Sequence, residues 1–342
     1  MNFTDFINAK EVATYIKELK QESIIGESLF PREKQLGMEL KYIRGAKQKP
    51  VVLKQSNFDV AVKIRALRAE VNDATKRMPF FKESVLINEE DRQQLLLAMM
   101  AENKNMINMI IAKIFDNYKA LVDGGDMQME RMRMQLLSNG TINIISKDGD
   151  ITLDFEVPNE HKEVLAGTSR WSNQEADIVG DIERWKRAIR DDGYETPTRM
   201  ILSSKTFSYI TSNKAIRFDI DKDGSKILTE SIVKNYLKNK LEISVALVSG
   251  SYKTEDGTDI KYYPDDKITL LPTGTLGKTY YGTTPEEADK MFGSKLDCEI
   301  VRTGIAITTL KKADPVTVQT KVSQLGMPSF ERADECFFAT VN

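Results

Sequence analysis

Asp219, Asp221, Asp223 and Glu230 stand in the stretch DIDKDGSKILTE, which fits the calcium-loop pattern D-x-[DN]-x-[DN]-G-x₅-E at every specified position. In such a loop the aspartates supply the early oxygens, Gly224 the sharp turn and Glu230 a bidentate carboxylate. Three features weigh against that chemistry. Position 8, normally an apolar residue that pairs with a second loop, is Lys226, and no second loop of this pattern occurs. Asp-Lys-Asp-Gly also suits an ordinary exposed turn, because Asp and Gly tolerate the required dihedrals.

A second stretch, PTGTLGKT from Pro272 to Thr279, ends like a phosphate-binding loop. Such a loop needs glycine where Pro272 stands and a helix directly after its Lys-Thr, so that backbone amides point at the phosphates. Here YYGTTPE follows, which reads as the end of an aromatic strand and a turn. His161 is the single histidine, so a Ser-His-Asp triad would have to use it and a His-rich metal site is excluded. No G-x-S-x-G elbow accompanies it, and VPNEHKEV reads as a loop. The two cysteines, Cys298 and Cys336, lie far apart without a CxxC, which fits a reducing compartment. These residues assign no enzyme and no cofactor.

The elements that carry these residues point elsewhere. The chain has 342 residues, enough for two compact bodies, and 49 Lys plus Arg nearly balance 51 Asp plus Glu. That balance does not suit a sequence-blind nucleic-acid coat. No window is apolar enough for a membrane span, and the charged N-terminus lacks a signal-peptide core. Residues 4 to 22 read as a short amphipathic helix with Phe6, Val12, Ile16 and Leu19 on one side. From Leu36 the period changes to two, and two alternating runs (Met38, Leu40, Tyr42, then Phe58, Val60, Val62, Ile64) predict a long two-stranded projection.

That projection is lopsided in charge. Between residues 39 and 68 stand Lys41, Arg44, Lys47, Lys49, Lys54, Lys63, Arg65 and Arg68 against only Glu39 and Asp59. An isolated ribbon is marginal in water, so it is expected to lie on an acidic neighbour or to grip phosphates. The second possibility makes a nucleic-acid-binding protein using residues 39–68 the alternative reading. Next comes the strongest helix, capped by Asn88, favoured by Glu89, Glu90 and Asp91 in its first turn, and predicted to end at Gly124–Gly125. Leu96, Met100, Ile107, Ile111, Ile114, Tyr118 and Leu121 fall near one face. At about 1.5 Å per residue the helix spans roughly 50 Å. The methionines of MQMERMRM read as core filler. A predicted hairpin (TINIIS, ITLDFEV) follows. The middle third alternates helices with the apolar strands RMILSS and ISVALVSG, and the end returns to strands from Leu296.

This order resembles the major capsid proteins of tailed double-stranded DNA phages, which have the Hong Kong 97-type fold. Among them the chain is most similar to the capsid protein E family, which includes the major head protein of phage lambda. The residues that carry the likeness are TSRWSNQEADIVGDIERW, VALVSGSYKTEDGTDIKYYPDDKITLLPTG, TYYGTTPEEAD and the tail SQLGMPSFERADECFFATVN. They are structural fingerprints with no catalytic motif among them.

The resemblance implies an α+β fold in five parts. These are an N-terminal arm (1–35), an extended β-hairpin loop over a neighbouring subunit (36–80), and a peripheral domain (81–165) with a spine helix at 88–123. An α/β axial domain (166–295) and a return to the peripheral domain (296–342) complete it. It also implies a major capsid protein that assembles with itself into hexamers and pentamers of an icosahedral shell. Scaffold, portal and decoration proteins would be further partners, and packaged DNA would make non-specific contacts. The expected location is the virion, after assembly in the bacterial cytoplasm. The eight basic residues of the ribbon become candidate inter-subunit contacts. The calcium-like stretch becomes a turn leading into an axial-domain helix.

Overall fold

The computed structural model describes residues 8–19, 24–44, 72–145, 149–224, 227–254, 256–293 and 295–342. Asn8 accepts a hydrogen bond from the Glu11 amide and opens helix α1 (Ala9–Glu18), whose Ala9, Val12, Ala13 and Ile16 are buried. A short helix α2 (Ile25–Leu29) precedes strand β1 (Arg32–Lys34). Strand β2 (Glu39–Arg44) pairs with β3 (Asn72–Arg77), and β4 (Phe80–Ile87) follows after Met78 and Pro79. Asn88 caps α3 (Glu89–Met100), and α4 (Lys104–Asn139) comes next.

Strands β5 (Thr141–Ile144) and β6 (Ile151–Asp154) form the predicted antiparallel hairpin, followed by β7 (Lys162–Val164). The middle of the chain runs α5 (Ile178–Asp191), β8 (Arg199–Ser203), α6 (Ser204–Ser212), α7 (Lys214–Ile220), α8 (Glu230–Leu241) and β9 (Ser244–Val248). Then come β10 (Ser251–Lys253), β11 (Asp259–Lys261), β12 (Lys267–Leu271), β13 (Thr279–Tyr281) and helix α9 (Pro285–Met291). The chain closes with β14 (Cys298–Val301), β15 (Ile305–Ala313), β16 (Val316–Pro328) and β17 (Phe337–Thr340).

These elements form two compact units. The first comprises residues 1–40, 75–133 and 278–329. Its sheet runs β1-β13-β16-β15-β14, with β4 paired along β16. Its core joins the apolar face of α1 to Tyr118 and Val122 of α4 and to Val301, Ile305, Ile307, Val318 and Val322 of the sheet. Each large apolar side chain removed from water there contributes roughly 1.5–3 kcal/mol.

The second unit comprises residues 41–74, 134–277 and 330–342. Its mixed sheet runs β7-β17-β12-β8-β9, and its core gathers Trp171 and Trp185 with residues of α5, α6, α7, α8 and the sheet. Trp185 stacks on Trp171 and on Phe337 of β17, with ring centroids 5.7 Å and 5.5 Å apart. Offset stacking of this kind adds to the burial term.

The structure changes three sequence expectations. The helix placed at 88–123 is two helices, because it breaks at Ala101–Asn103 and continues through Gly124–Gly125 to Asn139. At the break Glu102 takes a left-handed conformation, φ 51°. Its amide donates to Met99 O and that of Asn103 to Ala98 O, a Schellman closure with glutamate where glycine is usual. Asn103 Oδ1 then accepts from the Met106 amide and starts the next helix. A helix-interior glycine costs only about 1 kcal/mol, and Gly125 lies where a Cβ would come 3.1 Å from Gln324 Oε1 of the sheet. Packing therefore carries the helix through, and MQMERMRM supplies the buried Met129, Met132 and Met134.

The segment after Leu296 also divides. Strands β14–β16 belong to the first unit, whereas β17 sits between β7 and β12 in the second. Phe337, Phe338 and Ala339 are all buried, and a strand apolar on both faces needs a central place. The span 166–295 therefore lacks two strands of the sheet it was expected to contain. Finally, among the described residues the first alternating run of the ribbon pairs with β3, whose sequence NDATKR has no apolar alternation. The run from Phe58 to Ile64 lies outside the described residues.

Candidate assembly surfaces

The stretches that look chemical have partners of their own. Asp219 is near the end of α7, where its Oδ2 accepts from the Tyr236 hydroxyl at 2.8 Å and lies 3.5 Å from Lys240 Nζ. Those two neighbours hold its carboxyl below the usual carboxylate range. Asp221 caps α7, Asp223 is exposed, and Glu230 opens α8 in an ion pair with Lys234 at 2.5 Å. Among the described residues no group of three or more His, Cys, Asp or Glu side chains is placed to hold a metal ion. Changing Asp221→Asn together with Glu230→Gln is expected to leave the melting temperature and assembly unchanged, with or without millimolar calcium. A calcium-dependent rise in the parent, abolished by these changes, contradicts that expectation.

Lys278 of the phosphate-loop look-alike pairs with Glu33 at 2.5 Å, and Thr279 begins β13, so a strand follows the Lys-Thr. His161 closes a short 3-10 turn and is buried, with Nε2 2.7 Å from Asp192 Oδ2 and its ring edge-on to Tyr194.

The fingerprint stretch TSRWSNQEADIVGDIERW instead helps to build the core of the second unit. Trp171 Nε1 donates to Asp181 at 2.9 Å, and Trp185 Nε1 donates to Glu163. Burial pushes the Asp181 carboxyl up from its ordinary value, while the bonds from Trp171 and Arg184 pull it back. Arg184 reaches both carboxylates at 2.9 Å. Asp181, between the tryptophans, and Glu163 of β7 thus satisfy the two indole donors of a stacked core.

Of the eight basic ribbon residues, Lys41 and Arg44 lie on β2, and Lys47, Lys49, Lys54, Lys63, Arg65 and Arg68 lie outside the described residues. The sequence reading missed a second kind of surface in the first unit. Helix α3 turns Leu95 and Ala98 inward and leaves Leu96, Leu97 and Met100 outward, Met100 at 82% exposure. The signal was present in LLLAMM, because apolar residues at consecutive positions 100° apart cannot share one buried face. Met291 and Phe292, at the end of α9, are also exposed, Phe292 at 92%.

Comparison with known proteins bears on this arrangement. The chain matches the family described as phage major capsid protein E over residues 8–341. The curated proteins give no match. Two of the similar solved structures show the likeness. One is assigned as the capsid protein of a prophage of E. coli CFT073, with 14% identity, 98% of this chain and 99% of that chain covered, and a TM-score of 0.61. The other is a phage-related protein from Bordetella bronchiseptica RB50, with 13% identity, 97% and 96% covered, and a TM-score of 0.54. At such identities the likeness establishes the shared Hong Kong 97-type fold, and function follows from the family, which gives no support to the nucleic-acid-binding alternative. The match over nearly the whole chain shows that it belongs to the phage major capsid protein E family and forms a capsid shell.

Proposed function

We propose that copies of this chain associate as hexamers and pentamers of an icosahedral shell that encloses double-stranded DNA. The observation that carries this reading is the outward apolar surface on α3 and at the end of α9, which a monomer leaves in water. A shell subunit must bury such surface against several copies of itself through quasi-equivalent contacts. The near-neutral net charge of −2 suits it, since a strongly charged shell would repel itself. The basic ribbon from Lys41 to Arg68 is assigned to a neighbouring copy, and the axial domain of residues 166–295 to the symmetry axes. Scaffold, portal and decoration proteins are the expected further partners. DNA is contacted without sequence preference, assembly takes place in the host cytoplasm, and the role is structural rather than enzymatic.

The experiment that tests this reading is Leu97→Lys with Met100→Lys. Both side chains point to solvent, so the stability of the unassembled chain should change by no more than about 0.5 kcal/mol. Shells should be lost from the fast-sedimenting fraction. Normal shells from the double variant would remove α3 from the contact surface.

A further inference from the structure

The outer strands of a sheet carry N–H and C=O groups that a further strand can pair, and proteins ordinarily keep such strands short, bulged or guarded by charge. Among the described residues, most edges of the two large sheets follow that rule. Strands β1 and β7 have three residues each, β14 four and β9 five. Strand β4 does not. It runs eight residues, Phe80–Ile87, and among the described residues it pairs only with β16.

That pairing is one residue to one, from Phe80 opposite Leu325 to Ile87 opposite Val318, so no bulge bends the edge away, and no proline interrupts it. In an antiparallel pair every second residue turns both its N–H and its C=O away from the partner strand. The far side of β4 is therefore a row of backbone donors and acceptors. The side chains leave it open: Lys82, Glu83 and Ser84 are exposed, and Phe80 and Leu86 are 39% and 52% exposed. Lysine is a common guard of such an edge, but Lys82 Nζ lies 6.0 Å from the Phe80 ring centroid, along its own strand.

The sequence also holds a strand pattern whose expected mate is taken. Phe58, Val60, Val62 and Ile64 alternate strictly with Asp59, Ala61 and Lys63, yet β2, the run expected to pair with them, pairs with β3. Residues 45–71 separate β2 from β3. At about 3.3 Å per residue, each limb of a loop of that length, about 13 residues, reaches up to roughly 40 Å. That exceeds the roughly 30 Å width of a small domain, so the run can reach another copy.

We propose that residues 58–64 of one copy add as a strand to the open edge of β4 in a second copy. This rests on the shell-forming reading and names the surface on which the ribbon docks. Main-chain hydrogen bonds supply the affinity of such an addition, so one contact serves copies in hexamers and pentamers alike. Cross-linking tests it. A chain carrying Ser84→Cys is co-assembled with chains carrying one cysteine each, from Phe58→Cys through Ile64→Cys, and the oxidised shells are run on non-reducing gels. Cys298 and Cys336 are buried, and the parent chain gives the background. Dimers of one chain of each kind are expected at every second position, about tenfold stronger than at the positions between, because only side chains on the same face meet across paired strands. Independently, alternate amides of β4 in the parent should exchange about 100-fold more slowly in shells than in the unassembled chain. Well-formed shells with no linked dimers, or with dimers that do not alternate, would overturn the proposal. So would β4 amides whose exchange assembly does not change. If the cysteine variants form no shells, exchange in the parent decides; a parent that forms none removes the shell-forming reading and this contact with it.

Discussion

Trp185→Ala is expected to destabilise the second unit by about 3–5 kcal/mol, the range for truncating a buried aromatic. Trp185 is 1% exposed, sits between Trp171 and Phe337, and donates its indole N–H to Glu163. The variant loses both stacks and leaves a cavity that stiff neighbours such as Ile182 and Ile189 cannot fill. The melting temperature should fall by roughly 10 °C. The chain has only two tryptophans, both in this cluster, so fluorescence of the remaining Trp171 reports the unfolding of this unit. Trp185→Phe, which keeps one ring in the stack, should recover more than half of the loss. A change below about 1 kcal/mol for the alanine variant would mean that the cluster does not organise the unit.

The second large effect is expected on assembly rather than folding. If Lys47, Lys49 and Lys54 contact no part of their own chain, reversing them to Glu should leave the melting temperature of the unassembled chain within about a degree or two, because solvated charges contribute little to a fold. The same variant should form no shells. If the ribbon lies on a neighbouring copy, like charges are placed across every such contact, and like-charge juxtaposition costs several kcal/mol, on the order of the contact itself. Sedimentation and electron microscopy of parent and variant distinguish the outcomes. Normal shells would remove the ribbon from the contact, and a variant that no longer folds would place the ribbon on its own chain.

What the sequence made legible follows from where periodicity and packing agree. RMILSS and ISVALVSG, read as apolar strands, contain β8 and β9, because each has one local pattern with no competing signal. The helix break was hidden because Glu102 occupies the left-handed position that glycine usually marks. The conspicuous Gly124–Gly125 instead sits in mid-helix, where Gly125 serves the close approach to Gln324. The place of β17 beside β7 and β12 could not be read either, since sheet order is set by contacts far apart along the chain. Strand β3 has no apolar alternation, so its pairing with β2 is a matter of context rather than propensity.

The candidate surfaces split in the same way. The eight basic residues of the ribbon were legible as a run of like charge, because charge counts need no fold. The outward side of α3 needed the structure, which decides that Leu95 faces in while Leu96 and Leu97 face out. The calcium-like and phosphate-like stretches match in residue type, yet their side chains serve helix ends, surface ion pairs and a strand start.

The central claim, that this chain builds a closed shell, is tested most directly by electron microscopy of the fast-sedimenting fraction from cells expressing it, alone and with a scaffolding protein supplied. The account predicts hollow closed particles of uniform diameter, with the chain as their main component and its copies clustered around fivefold and sixfold axes. A folded chain that stays in the slow-sedimenting fraction under both conditions, or that forms only open or irregular aggregates, would contradict it.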